Sequence, residues 1–136
     1  MKPFTIFIAD DDEDDREILK FLFNQNESFE VLQCFDSGIE VVKEIMIKKN
    51  IPDLLLIDMY MPILTGTEVL KKIIESGLAP NMHQFVISTQ INFLEQSKYL
   101  NHPMITFLKK PTSLAEINDL PGIILESLHV KNNTKI

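Results

Sequence analysis

The sequence predicts an α/β protein in which a five-stranded parallel sheet is covered by helices on both faces. Short apolar runs alternate with longer amphipathic segments along the whole chain, which is the pattern of repeated β-strand and helix units. Several of these runs are apolar at nearly every position, as in strands buried on both faces. With 136 residues and 45% hydrophobic content, the chain is long enough for one domain with its own core. We expect the domain to span residues 1–130 and residues 131–136 to form a disordered polar tail.

The first half of the chain is predicted to supply three strands and two helices. In chain order these are a strand at 4–9, a helix at 12–26, a strand at 29–35, a helix at 36–49 and a strand at 52–58. The first helix opens with acidic residues, which the helix dipole favours at that end, and we expect most of them to be solvated. Asp36 or Ser37 is suited to cap the second helix, because either side chain can accept a hydrogen bond from a free backbone N–H group.

The second half continues the alternation with two more strands. The predicted elements are a helix at 67–76, a strand at 83–88, a short helix at 92–100, a strand at 104–109 and helical structure at 114–128. Gly77 is placed to end the third helix. We expect Pro121 and Gly122 to interrupt the last segment, so that a first turn ends before Asp119 and Pro121 lies near the start of the main helix.

Polar side chains follow the predicted strands at the edge where such sheets bind ligands. In doubly wound sheets that edge lies beyond the carboxyl ends of the strands. If the strand order is 2-1-3-4-5, Asp10, Asp11 and Asp58 converge there, and a magnesium ion would relieve their repulsion. Ser88 follows the fourth strand and Lys110 the fifth. Carboxylate, metal, hydroxyl and ammonium together are the groups that phosphoryl transfer requires.

Charge and composition argue against several classes of function. The net charge is −7, but six of the acids are consecutive at positions 10–15, and without them it would be −1. No basic surface for direct nucleic-acid binding is indicated. No segment approaches the ~20 apolar residues of a membrane span. The single cysteine, Cys34, is predicted to be a small buried core residue, and the lack of an internal disulfide favours a cytoplasmic location.

Four separated motifs resemble the receiver domain of two-component response regulators. They are "FIADDDEDD", "LLLIDMYMPILTG", "VIST" and "FLKKP", in this order, each at the end of a predicted strand. The resemblance covers about residues 4–128. It implies a doubly wound (βα)5 flavodoxin-like fold, the same fold that the alternation of strands and helices predicts.

The resemblance implies a metal site around a phosphoacceptor. Asp58 occupies the position of the aspartate that takes a phosphoryl group from a histidine. Asp11 matches the direct Mg²⁺ ligand, and Asp10 matches the neighbour that acts on the metal through water. Tyr60 lies two residues after Asp58, where the backbone carbonyl completes metal binding.

The resemblance also implies residues that respond to phosphorylation. Ser88 matches the hydroxyl that follows the phosphoryl group, although its neighbour Thr89 is an alternative. Lys110, directly before a proline, matches the family lysine better than Lys109, which we expect to be solvated. Phe107 matches the aromatic position that changes rotamer, although a phenylalanine in a strand is also typical of a core.

The function implied is that of a stand-alone response regulator rather than an enzyme acting on a separate substrate. The phosphoryl donor would be a histidine kinase or a histidine phosphotransfer protein, and the output would be relay or docking on a downstream target protein. Only 25 residues follow Pro111, too few for an output domain. The alternative is a binding module of receiver shape that acts without phosphorylation. That alternative predicts a missing acceptor, metal ligand or lysine, and none is missing.

Overall fold

The computed structural model describes residues 2–90 and 92–133, and these form one five-stranded parallel sheet. The strand order is β2-β1-β3-β4-β5, which confirms the predicted order. The strands are β1 (Phe4–Ala9), β2 (Phe29–Phe35), β3 (Leu54–Asp58), β4 (His83–Ser88) and β5 (Ile105–Lys109). Because β1 lies between β2 and β3, the chain reverses direction across the sheet at the β1–β3 pair.

Five helical elements cover the sheet. They are α1 (Glu13–Asn24), α2 (Gly38–Val42), α3 (Gly66–Ser76), α4 (Phe93–Ser97) and α5 (Leu114–Asn133). A single π-helical turn, Lys43–Ile47, continues α2. Ser37 rather than Asp36 caps α2, because its hydroxyl accepts the backbone N–H of Glu40. Gly77 ends α3 with φ of 68°, a left-handed conformation that glycine adopts without steric penalty.

The three central strands, β1, β3 and β4, bury both faces, as their continuous apolar sequences predict. Alternate side chains of the central strands point to opposite sides and form two separate clusters. On one side Phe7, Leu55 and Val86 pack with residues of α2 and α3. On the other side Ile6 and Leu56 pack with residues of α1 and α5. This two-sided burial fixes the strand register and therefore fixes which residues emerge at the carboxyl edge.

The predicted interruption of the last helix is wrong, because α5 is continuous from Leu114 to Asn133 with Pro121 inside it. Proline removes one helix hydrogen bond and crowds the preceding turn. The helix nevertheless continues because Leu120, Ile124 and Leu128 recur every fourth residue and are all buried in the α1-side cluster. Burial of these side chains outweighs the local propensity. Residues 131–133, assigned to the tail by composition, belong to α5, and 134–136 lie outside the described residues.

Cys34 is only half-buried, in contrast to the sequence prediction. Its strand, β2, is at the edge of the sheet, where one side of the strand has no neighbour to cover it. Burial still raises the pKa of the Cys34 thiol. Among the described residues, no helix combines the length and the apolar character that crossing a membrane requires.

Candidate functional site

Three carboxylates meet at the carboxyl edge of β1 and β3. These two strands are paired, with Ala9 opposite Ile57. The next residue of each strand, Asp10 and Asp58, therefore lies at the same edge of the sheet. Asp10, Asp11 and Asp58 each offer a carboxylate oxygen, and these oxygens all lie within 4.8 Å of one another. Asp10 and Asp58 are buried, whereas Asp11 is exposed. The cluster is therefore a half-buried acidic pocket that opens to solvent on one side.

Asp10 is fully buried and fixed by contacts on all of its oxygens. Its Oδ1 accepts the backbone N–H of Asp12 at 3.0 Å, and its Oδ2 lies 2.8 Å from the ammonium of Lys110. Arg16 donates through Nη1 to the backbone carbonyl of Asp10 at 2.9 Å. Asp12 caps α1, because its Oδ1 accepts a hydrogen bond from the backbone N–H of Asp15.

Lys110 reaches the pocket from the end of β5. Its backbone N–H donates to the carbonyl of Ser88 at 2.8 Å, which ties it to the adjacent strand. Its Nζ lies 2.8 Å from Asp10 Oδ2, 3.0 Å from Asp15 Oδ2 and 3.5 Å from Asp58 Oδ1. Lys109, by contrast, is exposed. The structure thus brings Lys110, and not Lys109, among the carboxylates.

The electrostatics of the pocket perturb both Asp58 and Lys110. Burial raises the pKa of Asp58 to about 6; the positive charge of Lys110 opposes that rise, and the negative charge of Asp10 adds to it. Burial alone would lower the pKa of Lys110, but its hydrogen bonds to Asp10 and Asp15 hold that pKa above its ordinary value. Lys110 therefore stays charged at neutral pH, and Asp58 ionises at a cost that a bound cation would reduce.

Ser88 lies at the end of β4, but its hydroxyl is engaged within its own turn. The Ser88 Oγ–H donates to the carbonyl of Gln90, and the backbone N–H of Gln90 donates back to Ser88 Oγ at 3.2 Å. Ser88 is 9% exposed, whereas the neighbouring Thr89 is exposed. Ser88 directly follows Ile87, the β4 partner of Asp58, and therefore lies at the same edge of the sheet, with its one hydroxyl donor engaged by Gln90.

The remaining two predicted residues, Phe107 and Tyr60, have no side-chain contact with the three carboxylates among the contacts of the described residues. Phe107 is half-buried on β5, packs against the cluster on the α2 and α3 side, and has its ring centroid 6.2 Å from that of Tyr99. Tyr60 is 46% exposed and follows Met59 in the β3–α3 loop. Neither side chain is among the contacts of the acidic pocket itself.

The β3–α3 loop is tightly folded beside Asp58. The backbone N–H of Gly66 donates to the carbonyl of Met59 at 2.8 Å. A Cβ at Gly66 would lie 2.6 Å from the carbonyl oxygen of Asp58, so only glycine fits there. Ile63, 87% exposed, has φ of 70°, a strained value for a β-branched residue.

Sequence reasoning missed two residues of the site, Asp15 and Gln90. The prediction that most acids of the first turn are solvated does not single out Asp15, whose carboxylate forms an ion pair with Lys110. The signal available was its place in the acidic run, which does not distinguish it from Asp14. Gln90 contacts Ser88 mainly through backbone atoms, which no side-chain pattern reveals.

The donor set at this edge fits magnesium. Three carboxylates in close proximity present hard oxygen ligands, the kind that Mg²⁺ prefers, and no softer nitrogen or sulfur ligand is among them. Both carboxylate oxygens of Asp10 already have protein partners, whereas the carboxylate of Asp11 is exposed to solvent. Asp11 is therefore better placed for direct ligation, and Asp10 for contact through a metal-bound water.

The fold and the site define a doubly wound α/β domain with an acidic pocket and a lysine at the switch point of its sheet. Such a pocket is characteristic of receivers, and the family model described as the response regulator receiver domain matches residues 6–120. The chain belongs to this family. The resemblance seen in the four sequence motifs is thereby confirmed.

Two curated relatives match most of this chain, but they differ in how much of their own length the match covers. The chain is 30% identical to sporulation initiation phosphotransferase F of Bacillus subtilis over 84% of this chain and 87% of that protein. It is 29% identical to the probable C4-dicarboxylate response regulator DctR of Priestia megaterium, covering 81% of this chain but 46% of the relative. The chain thus spans less than half the length of that regulator.

Solved structures support the same fold. A CheY-like response regulator receiver domain protein from Methanospirillum hungatei superposes with a TM-score of 0.77 at 24% identity. The alignment covers 97% of this chain and 98% of that one. At this identity the likeness concerns the fold alone.

Proposed function

We propose that this receiver domain accepts a phosphoryl group on Asp58 and acts as a phosphorylation-controlled switch or relay. The observation that carries the proposal is the position of the Asp58 carboxylate, which is buried beside Asp10 with Lys110 Nζ 3.5 Å from its Oδ1. Burying a carboxylate costs hydration free energy, which nearby charges or hydrogen bonds must offset. Its carboxylate and ammonium neighbours supply the charges that bind a phosphoryl group and a metal.

The transfer step is a displacement at phosphorus. An oxygen of the ionised Asp58 carboxylate attacks the phosphorus of a phosphohistidine, the N–P bond breaks, and its electron pair stays on the imidazole, which takes a proton from solvent. The product is an acyl phosphate on Asp58. Lys110 stabilises the added negative charge, and the Ser88 hydroxyl leaves Gln90 to donate to a phosphoryl oxygen.

Asp10, Asp11 and Asp58, with the backbone carbonyl of Tyr60, are the groups that would hold Mg²⁺. When bound, the ion supplies positive charge that offsets the repulsion between the carboxylates and the phosphoryl group. The protein's own contribution is orientation, since Asp10 and Lys110 are fixed by the hydrogen bonds described above. In this proposal the domain catalyses its own phosphorylation and does not act as an enzyme on a separate substrate.

The proposed donors are a histidine kinase or a histidine phosphotransfer protein, and the output is a changed affinity for a target protein. A population shift of ~100-fold requires only about 2.7 kcal/mol of differential binding. Phe107, half-buried against Tyr99, is the residue we assign to carry the change from the pocket to the surface. The proposed location is the cytoplasm, where such donors would supply the phosphoryl group.

Intact-mass measurement tests the proposal directly. The protein is incubated with acetyl phosphate or phosphoramidate and Mg²⁺, and a mass gain of one phosphoryl group is expected. The gain should be absent in Asp58→Asn and retained in Asp119→Asn, which changes an exposed aspartate on α5. Absence of any gain in the unaltered protein would instead support the phosphorylation-independent binding module.

A further inference from the structure

Lys110 makes a carboxylate contact that the proposed reaction does not use. Its Nζ lies 3.0 Å from Asp15 Oδ2 on the first turn of α1. That distance is shorter than the 3.5 Å to Oδ1 of Asp58, the carboxylate at which the proposed reaction takes place. The ammonium is therefore held towards α1, between Asp15 and Asp10, rather than centred on the acceptor.

The capped first turn of α1 fixes the backbone position of Asp15. The backbone N–H of Asp15 is bound by the Asp12 side chain at 3.0 Å, which fixes the first turn of α1. The side chain of Lys110 is 13% exposed and that of Asp15 is 42% exposed. The pair thus lies at the rim, with the buried Asp10 carboxylate beneath it and solvent above.

A phosphoryl group on Asp58 would share the ammonium of Lys110 with Asp15. A lysine has three N–H donors, and in this structure two carboxylates other than Asp58 lie within 3.0 Å of its nitrogen. The phosphoryl group adds acceptor oxygens and negative charge at Asp58. Of the two other partners, Asp10 is buried and already placed beside Asp58, so Asp15 is the contact that draws Lys110 away.

We propose that Asp15 is a positioning residue that holds Lys110 on the α1 side of the pocket in the unphosphorylated protein and so opposes its movement to the phosphoryl group. This inference rests on the proposed function, since it concerns the same reaction. It assigns to one of the six consecutive acids at positions 10–15 a role other than metal binding. Removal of the Asp15 carboxylate should therefore make the phosphorylated state easier to reach.

The first experiment compares Asp15→Asn with Asp14→Asn, which removes the same charge from the adjacent, exposed position of α1. The rate constant of phosphorylation by acetyl phosphate and the dissociation constant of beryllofluoride are measured at saturating Mg²⁺. For Asp15→Asn we expect about a threefold faster reaction and about threefold tighter binding, the scale of a partly exposed ion pair. Asp14→Asn should change both far less, and Asp15→Glu, which keeps a carboxylate, should restore values near those of the unaltered protein.

A double-mutant cycle shows whether the effect passes through the lysine. In a Lys110→Met background, Asp15→Asn should no longer change the dissociation constant of beryllofluoride. Thermal unfolding of each variant identifies any general loss of structure. A difference that persists without the lysine, an equal effect of Asp14→Asn, or weaker binding in Asp15→Asn would overturn the inference.

A separate measurement does not require phosphorylation. In the metal-free protein, NMR exchange rates of the Lys110 Nζ protons should increase in Asp15→Asn and stay unchanged in Asp14→Asn. Unchanged exchange in Asp15→Asn would refute the positioning contact itself. If the unaltered protein takes up neither phosphoryl group nor beryllofluoride, the proposed function fails, while the exchange rates still decide whether Asp15 holds Lys110.

Discussion

Replacing Asp58 by asparagine should stabilise the metal-free protein at neutral pH. The Asp58 side chain is 7% exposed, and the pKa of its carboxyl is raised from 3.8 to about 6, chiefly by burial. At about 1.36 kcal/mol per pKa unit, this rise corresponds to a cost of about 3 kcal/mol for folding with Asp58 ionised. Asn has nearly the same shape and no charge, so Asp58→Asn removes that cost. Lys110 keeps its contacts with Asp10 and Asp15.

The sign of the pH dependence follows from linkage. Above pH 6 the carboxyl is ionised in both the folded and the unfolded protein, and the folded state bears the whole cost. As the pH falls below 6, the folded state takes up the proton first, and the cost decreases until both states are protonated below about pH 4. The stability advantage of Asp58→Asn should therefore be about 3 kcal/mol at pH 8 and about half of that at pH 5.

Urea unfolding at pH 8 and pH 5 in the presence of EDTA measures this difference. Asp119→Asn, at an exposed position of α5, is the matched control and should show no comparable gain. Mg²⁺ should stabilise the unaltered protein at pH 8 and so reduce the advantage of the variant. A variant that is less stable than the unaltered protein, or an advantage independent of pH, would refute the reasoning.

Three further predictions concern the loops around Asp58. Ile63→Gly should raise the free energy of unfolding by about 1 kcal/mol, because it relieves a φ of 70° at an exposed β-branched residue, and a decrease in urea denaturation would contradict this. Gly66→Ala should lower it by about 2 kcal/mol, since the added Cβ would meet the Asp58 carbonyl at 2.6 Å, and unchanged stability would show that the loop adapts. Thr89→Ala should shorten the lifetime of the aspartyl phosphate, because the exposed Thr89 next to Ser88 would narrow access for water, and an equal lifetime would refute this idea.

The local sequence pattern alone determined the alternation of strands and helices and the edge at which the polar residues meet. The predicted ranges of β1, β2 and β4 coincide with the observed strands. Asp10, Asp58 and Lys110 could be placed near one another because each lies at the carboxyl end of a strand of a parallel sheet, and such strands end at a common edge. These inferences depend on short-range periodicity and on general rules of sheet topology.

Only the tertiary structure decided the contacts between elements that are distant in the sequence. Pro121 predicts a break, yet α5 continues because its buried residues pack on α1 and the sheet. Asp14 and Asp15 are identical residues at adjacent positions, so the sequence does not distinguish them. The orientation of α1 brings Asp15 into an ion pair with Lys110, which lies 95 residues later in the chain. The physical reason is the same in both cases. Burial and ion pairing across the fold are long-range terms that a local pattern does not contain, and they outweigh local propensity when the elements come together.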